Sequence, residues 1–139
     1  MLNKFFMDTK EILEKYKKIA VIGFSDNRER DSHRIAFYMH RKGYLIYGVN
    51  PKLGGKNIDG IECYNKLSEI PEEVDIVNIF RVSIAVLPIV QEVIKLNYKP
   101  KVIWTQLGIF NEEAKKLAQE NGYEFIENKC LYIEQQKLD

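Results

Sequence analysis

Five short, mostly apolar runs, Lys18–Gly23, Tyr44–Val49, Asp75–Phe80, Lys101–Thr105 and Tyr123–Ile126, alternate along the chain with stretches of helical spacing. Runs this short, with little polar alternation, fit strands buried on both faces. A strand-then-helix rhythm favours parallel pairing, because each helix carries the chain back across the sheet before the next strand begins. Right-handed crossovers then place helices on both sides of the sheet.

The intervening segments carry their own signals. Asp8 with Glu11 three residues on forms a capping-box pattern ahead of Ile12, Leu13 and Tyr16, so a short helix leads into the first strand. Phe5 and Phe6 before it are assigned to packing, as a hydrophobic staple, rather than to a partner surface. Ser32 is expected to cap a helix whose buried stripe is Ile35, Ala36, Tyr38 and Met39, with Gly43 at its end. Asn50-Pro51 followed by Gly54-Gly55 marks a loop, Ile61 to Tyr64 a possible short strand, and Asn65 to Glu69 a brief helix. From Ser83 to Asn97 a wide apolar helical face admits Pro88 only in the first turn. Asn111 caps a helix through Asn121, with Glu112 and Glu113 at its positive end. The tail from Asn128 has the weakest pattern. The expected fold class is α/β, a Rossmann-like three-layer sandwich around a mainly parallel five-stranded sheet.

At 139 residues, with 45% hydrophobic and 29% charged side chains, the chain suits a single domain over 1–139, and no repeat or linker divides it. A formal charge of +1 gives no general pull toward nucleic acid or acidic membranes, so an anion site must come from local placement of charge. Cys63 and Cys130 lack metal-ligand spacing and read as two reduced thiols. No apolar run approaches the roughly 18 residues of a membrane span. The start, MLNKFFMDTKEILEKY, is broken by Asp8, Glu11 and Glu14, unlike a signal peptide. A soluble, cytoplasmic protein is expected.

If the strand order reverses beside the first strand, the loops after Ile22, Val49, Ile79 and Trp104 converge on one crevice. Gly23-Phe24-Ser25 turns the chain there, and Ser32 and Arg34 open the next helix. Backbone N–H groups and the positive end of that helix favour an anion, and Arg28, Arg30 or Arg34 can pair with phosphate oxygens. For Ser32 alone a purely capping role weighs equally. For the ensemble, phosphate binding is the stronger reading.

The usual dinucleotide geometry does not follow. After Gly23 come Phe24, Ser25, Asp26, Asn27 and Arg28, so G-x-G-x-x-G is missing. The second strand ends Gly48-Val49-Asn50-Pro51, with no acidic residue for an adenosine ribose. A nucleotide-dependent, NAD-type oxidoreductase is therefore the alternative reading rather than the first. Ser25 has no histidine at elbow spacing and G-x-S-x-G is absent, which argues against a hydrolase triad. Asp26, Glu29, Asp31, Glu112 and Glu113 form no isolated acid pair or metal cluster, so cap and surface roles suffice.

VIGFSDNRERDSHRIAFYM, YGVNPKLGG with DGIECYNKLSEIP, DIVNIF, and VIWTQLGIFNEEA with NKCLYIE together resemble the small stand-alone CoA-binding proteins related to the CoA-binding domain of the succinyl-CoA synthetase alpha subunit. The resemblance covers nearly everything after Lys17. It implies a domain that binds coenzyme A or an acyl-CoA as a binding, carrier or regulatory module, with a protein partner unspecified. Carried over by position, Gly23, Ser25, Ser32 and Arg34 would hold the phosphates. Val49, Asn50 and Pro51 would flank adenine and ribose, with Lys52 reaching a phosphate. Phe80 and Arg81 would line the pantetheine path, and Gln106 and Gly108 would meet the ligand's far end.

The synthetase's phosphorylated histidine belongs to a further domain beyond this resemblance, so ligase activity is not implied. His33 and His40, the only histidines, are both expected at the surface. Cys130 admits disulfide exchange with a bound CoA thiol, although burial as a small apolar side chain carries more weight.

Overall fold

The protein is described from a computed structural model covering residues 7–139; the Phe5–Phe6 staple lies outside the described residues. Among the described residues seven strands form one sheet: β1 (Lys18–Ile22), β2 (Leu45–Val49), β3 (Asn57–Ile58), β4 (Ile61–Tyr64), β5 (Ile76–Ile79), β6 (Val102–Thr105) and β7 (Glu124–Ile126). Their spatial order is β3-β4-β2-β1-β5-β6-β7, and every pair is parallel except β3 with β4. The five expected strands are β1, β2, β5, β6 and β7.

The expected count of five is corrected to seven by a hairpin at one edge. Ile61 to Tyr64 does pair in parallel with β2, and Ile58 folds back on Ile61 across Asp59-Gly60. Both turn residues have positive φ, 53° and 93°, as a two-residue turn matching the twist of its strands requires. Asp-Gly between two isoleucines was a legible hairpin signal.

Among the described residues five α-helices cover the sheet: α1 (Thr9–Lys15), α2 (Asp31–Arg41), α3 (Val86–Ile94), α4 (Glu112–Glu120) and α5 (Leu131–Gln136). Period-two alternation within each strand splits the interior into two apolar layers. Ala20 and Ile22 of β1 join Val77 and Ile79 beneath Val86, Val90 and Val93 of α3 and Ala114 and Ala118 of α4. Ile19 and Val21 face the other way, with Ile76 and Trp104, toward α1, α2 and α5. Each layer removes large aliphatic side chains from water, at about 25 cal/mol per Å² of apolar surface.

Local signals explain most boundaries. The Asp8 capping box forms in both directions: Asp8 accepts from the Glu11 N–H, and Glu11 accepts from the Asp8 N–H. Asn111 caps α4 as expected, accepting from the Ala114 N–H at 2.9 Å. Pro88 lies in the first turn of α3, where its missing N–H costs nothing. Ser32, by contrast, is not a cap. The α2 N-cap is Arg30, without a side-chain hydrogen bond, and Ser32 is the second helical residue, buried. Among the described residues no helix is long and apolar enough to cross a membrane, and no group of His, Cys, Asp and Glu could hold a metal ion.

Candidate functional site

β1 lies between β2 and β5, so the chain winds away from it in both directions and the loops at its carboxyl edge part there. A cleft of 1320 Å³ opens at that point. Gly23 turns the chain at its floor. It has φ +91°, and a Cβ there would lie 2.4 Å from the Phe80 carbonyl oxygen and 3.0 Å from Cδ of Arg81. The glycine is therefore demanded by its neighbours in the fold, and the Arg81 side chain lies across the turn it makes.

The next loop is held from two sides. The Gly23 N–H donates to the Val49 carbonyl at 2.9 Å, and Asn50 Nδ2 donates to the Phe24 carbonyl at 2.9 Å. Asn50 Oδ1 accepts from the Lys52 N–H at 2.8 Å, so both ends of this amide are committed to the turn. Farther on, His33 is buried rather than at the surface, which corrects the sequence expectation. Its Nδ1 lies 2.8 Å from the Ser25 carbonyl and its Nε2 3.0 Å from Asp59 Oδ2. Both partners are acceptors, so both contacts are hydrogen bonds only when each ring nitrogen carries a hydrogen. Phe24 stacks on the same ring, with centroids 5.4 Å apart. His40 is half-buried beside Gly60.

Asp59 ties the β3–β4 hairpin to this loop. Arg28 reaches it with two hydrogen bonds, at 2.7 and 3.0 Å. That hydrogen bonding, with the Arg28 charge and a further bond from His33, holds the Asp59 carboxyl below the usual carboxylate range. Arg34 is likewise engaged, donating to the Glu29 carbonyl at 2.8 Å and pairing with Asp31. Of Arg28, Arg30 and Arg34, Arg30 is the one lining the cleft. Arg81 lines it too, and joins no ion pair among the described residues.

The structure brings Gly23, Ser25, Ser32, Val49, Asn50, Pro51, Phe80 and Arg81 together around the cleft. Arg34, Lys52, Gln106 and Gly108 lie outside its lining. Gln106 is buried, donating its N–H to the Ile79 carbonyl, and the Gly108 N–H donates to Asn128 Oδ1 at 2.7 Å. Two wall segments were missed from sequence: Asn65, Lys66, Leu67 and Glu69 after β4, and Ala85, Pro88, Ile89 and Glu92 along α3. Placing β4 in the sheet would have located the first, because its carboxyl end shares the edge with β1. Acidic Glu29, Asp31, Glu69 and Glu92 stand among the cations, so the cleft's selectivity for an anion rests on where Arg30, Lys66 and Arg81 sit.

Among the described residues the cleft lining offers hydrogen-bond donors, and no hydrogen bond joins the Ser25 or Ser32 hydroxyl to a histidine ring or a carboxylate. The N–H groups of Asp31 and Ser32 at the start of α2 have no partner within the helix and no side-chain cap, whereas that of His33 donates to the Arg30 carbonyl at 3.1 Å. Cys63 and Cys130 are both free and buried, and neither lines the cleft. Burial pushes the Cys63 thiol up to about 11.

Residues 17–136 match the family described as CoA binding domain. The chain is 35% identical over 133 residues to the uncharacterized protein YneT of Bacillus subtilis, covering 96% of each. It is 28% identical over 123 residues to an ADP-forming acetate–CoA ligase of Methanocaldococcus jannaschii, spanning 84% of this chain but 17% of the ligase. A hypothetical protein from Pyrococcus horikoshii superposes with a TM-score of 0.86 at 33% identity, covering 99% of both chains.

Proposed function

We propose, from the premise that the chain belongs to the CoA-binding domain family, that the β1–α2 cleft binds coenzyme A or an acyl-CoA as a binding, carrier or regulatory module. The observation that carries this is the uncapped start of α2, opening with Ser32 and Arg30 onto a turn crossed by Arg81. Free helix N–H groups beside two guanidinium ions suit a polyphosphate. Gly23, Ser25 and Ser32 take the phosphates in this reading, with Arg30, which lines the cleft, in the role expected of Arg34. Val49 and Pro51 flank the adenine, and the half-buried Phe80 ring runs beside the pantetheine arm. Lys52 is exposed and reaches a phosphate only at the cleft's outer rim.

The oxidoreductase alternative gains no support. Asn50 stands where a dinucleotide site needs an acidic ribose ligand, and its amide is already committed to Phe24 and Lys52. Titration calorimetry with CoA, dephospho-CoA and NAD separates the readings. CoA is expected to bind, dephospho-CoA more weakly, and NAD not measurably. Arg81→Ala should weaken CoA by about tenfold or more, the worth of a charge-assisted hydrogen bond. Arg34→Ala should change it less than about threefold, because Arg34 is held by Glu29 and Asp31. Failure of CoA to bind, or tighter binding of NAD, overturns the proposal.

A further inference from the structure

Four large apolar side chains stand in water at the carboxyl edge: Val82 (66% exposed), Ile84 (83%), Leu107 (59%) and Phe110 (52%). They belong to the loops after β5 and β6, and these loops are fixed rather than loose. Ser83 accepts from the Phe110 N–H through Oγ at 3.0 Å, and from Asn111 Nδ2 through its carbonyl at 2.9 Å. Thr105 Oγ1 donates to the Ile109 carbonyl at 2.9 Å, and Ile109 packs into the core while its neighbours face out. A fixed apolar surface exposed to water is a binding surface more often than an accident.

Its position says what it binds. Arg81 and Ala85, flanking Val82 and Ile84, line the cleft, so the apolar lip continues the cleft wall. The strand order β2-β1-β5-β6 puts successive loops about 4.8 Å apart, so the lip lies beyond β5, on the side of the cleft away from Val49 and Pro51. A ligand with its base at β2 and its phosphates at α2 points its thiol end here. Four side chains also present only on the order of a few hundred Å². A stable protein–protein contact needs about 800 Å² per partner, so a second copy of the chain is the poorer fit.

Resting on the CoA reading of the cleft, we infer that the Val82–Ile84–Leu107–Phe110 lip receives the acyl chain of a medium-chain acyl-CoA thioester and makes the protein discriminate by chain length. Half-burying a methylene on an open lip gains about a twofold preference, or on the order of 50-fold between acetyl and octanoyl.

The test is calorimetry of the wild-type protein with free CoA and with acetyl-, butanoyl-, hexanoyl- and octanoyl-CoA, repeated on the Ile84→Ser/Leu107→Ser double variant, each series referred to free CoA on the same protein. Affinity should climb about twofold per methylene in the wild type and flatten in the variant. A flat wild-type series with tight free CoA overturns the lip and leaves the cleft reading intact. So does a sedimentation dimer that the double variant dissolves without any chain-length slope, since a second copy then covers the patch. Absence of free CoA binding overturns both. The wild-type series decides by itself should the variant fold poorly.

Discussion

Helices α2 and α4 start from the same edge of the same sheet, each after a buried parallel strand, and their N-termini are capped in different ways: the third N–H meets a side chain at α4 and only the Arg30 carbonyl at α2. At α4 a side chain closes the first turn: Asn111 Oδ1 accepts from the Ala114 N–H while its Nδ2 donates to the Ser83 carbonyl, and Glu112 and Glu113 face the positive end. At α2 the cap is Arg30 with no side-chain bond, Ser32 lies inside the helix, and the single acid of the first turn, Asp31, is paired with Arg34. A cap satisfies a helix end and closes it. The side-chain cap missing at α2 leaves its end less satisfied, in the turn where Gly23 and Arg81 line the cleft.

The comparison can be broken most forcefully at the two glycines. Gly23→Ala must hold φ +91° and push Cβ to 2.4 Å from the Phe80 oxygen, whereas Gly108→Ala holds φ +82° in open space. The first should cost about 3 kcal/mol, roughly 10 °C in thermal unfolding, and the second about 1 kcal/mol. Equal losses would mean that the β1–α2 turn is no more constrained than its counterpart.

A smaller contrast comes from the caps. Asn111→Ala should cost about 1 kcal/mol in urea unfolding. Ser32→Ala should stay within about 0.5 kcal/mol while weakening CoA several-fold, because Ser32 lines the cleft and does not cap the helix. A stability loss at Ser32 matching that at Asn111 would restore the capping role expected from sequence.

The mildest effect concerns Asp59, which Arg28 and His33 hold to the α2 loop. Its carboxyl is shifted below its ordinary value of 3.8, so its contribution is present above that value and lost as pH falls through the lower folded one. Asp59→Asn keeps a residue tolerant of φ 53° while removing the charge. The variant should be slightly less stable than the wild type at pH 7, and the gap should close below pH 3.8. A gap unchanged down to pH 2 would assign the effect to shape alone.

Strands and caps governed by local chemistry were legible in the chain. The β1 run, the Asp8 box, Asn111 and the first-turn Pro88 depend on neighbours within a few residues. Ser32 failed for the opposite reason: choice of cap depends on how the loop from Ser25 to Arg30 is held, and that is decided by His33 and Arg28 reaching Asp59, far along the chain. The same tie removed Arg28 from the cleft, and Asp31 removed Arg34, leaving Arg30 and Arg81. The second wall, from Asn65 to Glu69 and along α3, depended on the edge strand β4 taking its place in the sheet. Charge counted along the chain offers three arginines, and only the fold says which are already paired.

The account is tested most directly by backbone amide resonances followed while CoA is added. Gly23, Asp31 and Ser32 should shift, with the unpartnered Asp31 and Ser32 amides gaining protection from hydrogen exchange, while Glu112 and Glu113 at the capped start of α4 stay where they are. Saturating CoA that leaves the α2 amides unmoved, or moves those of α4 instead, would contradict it.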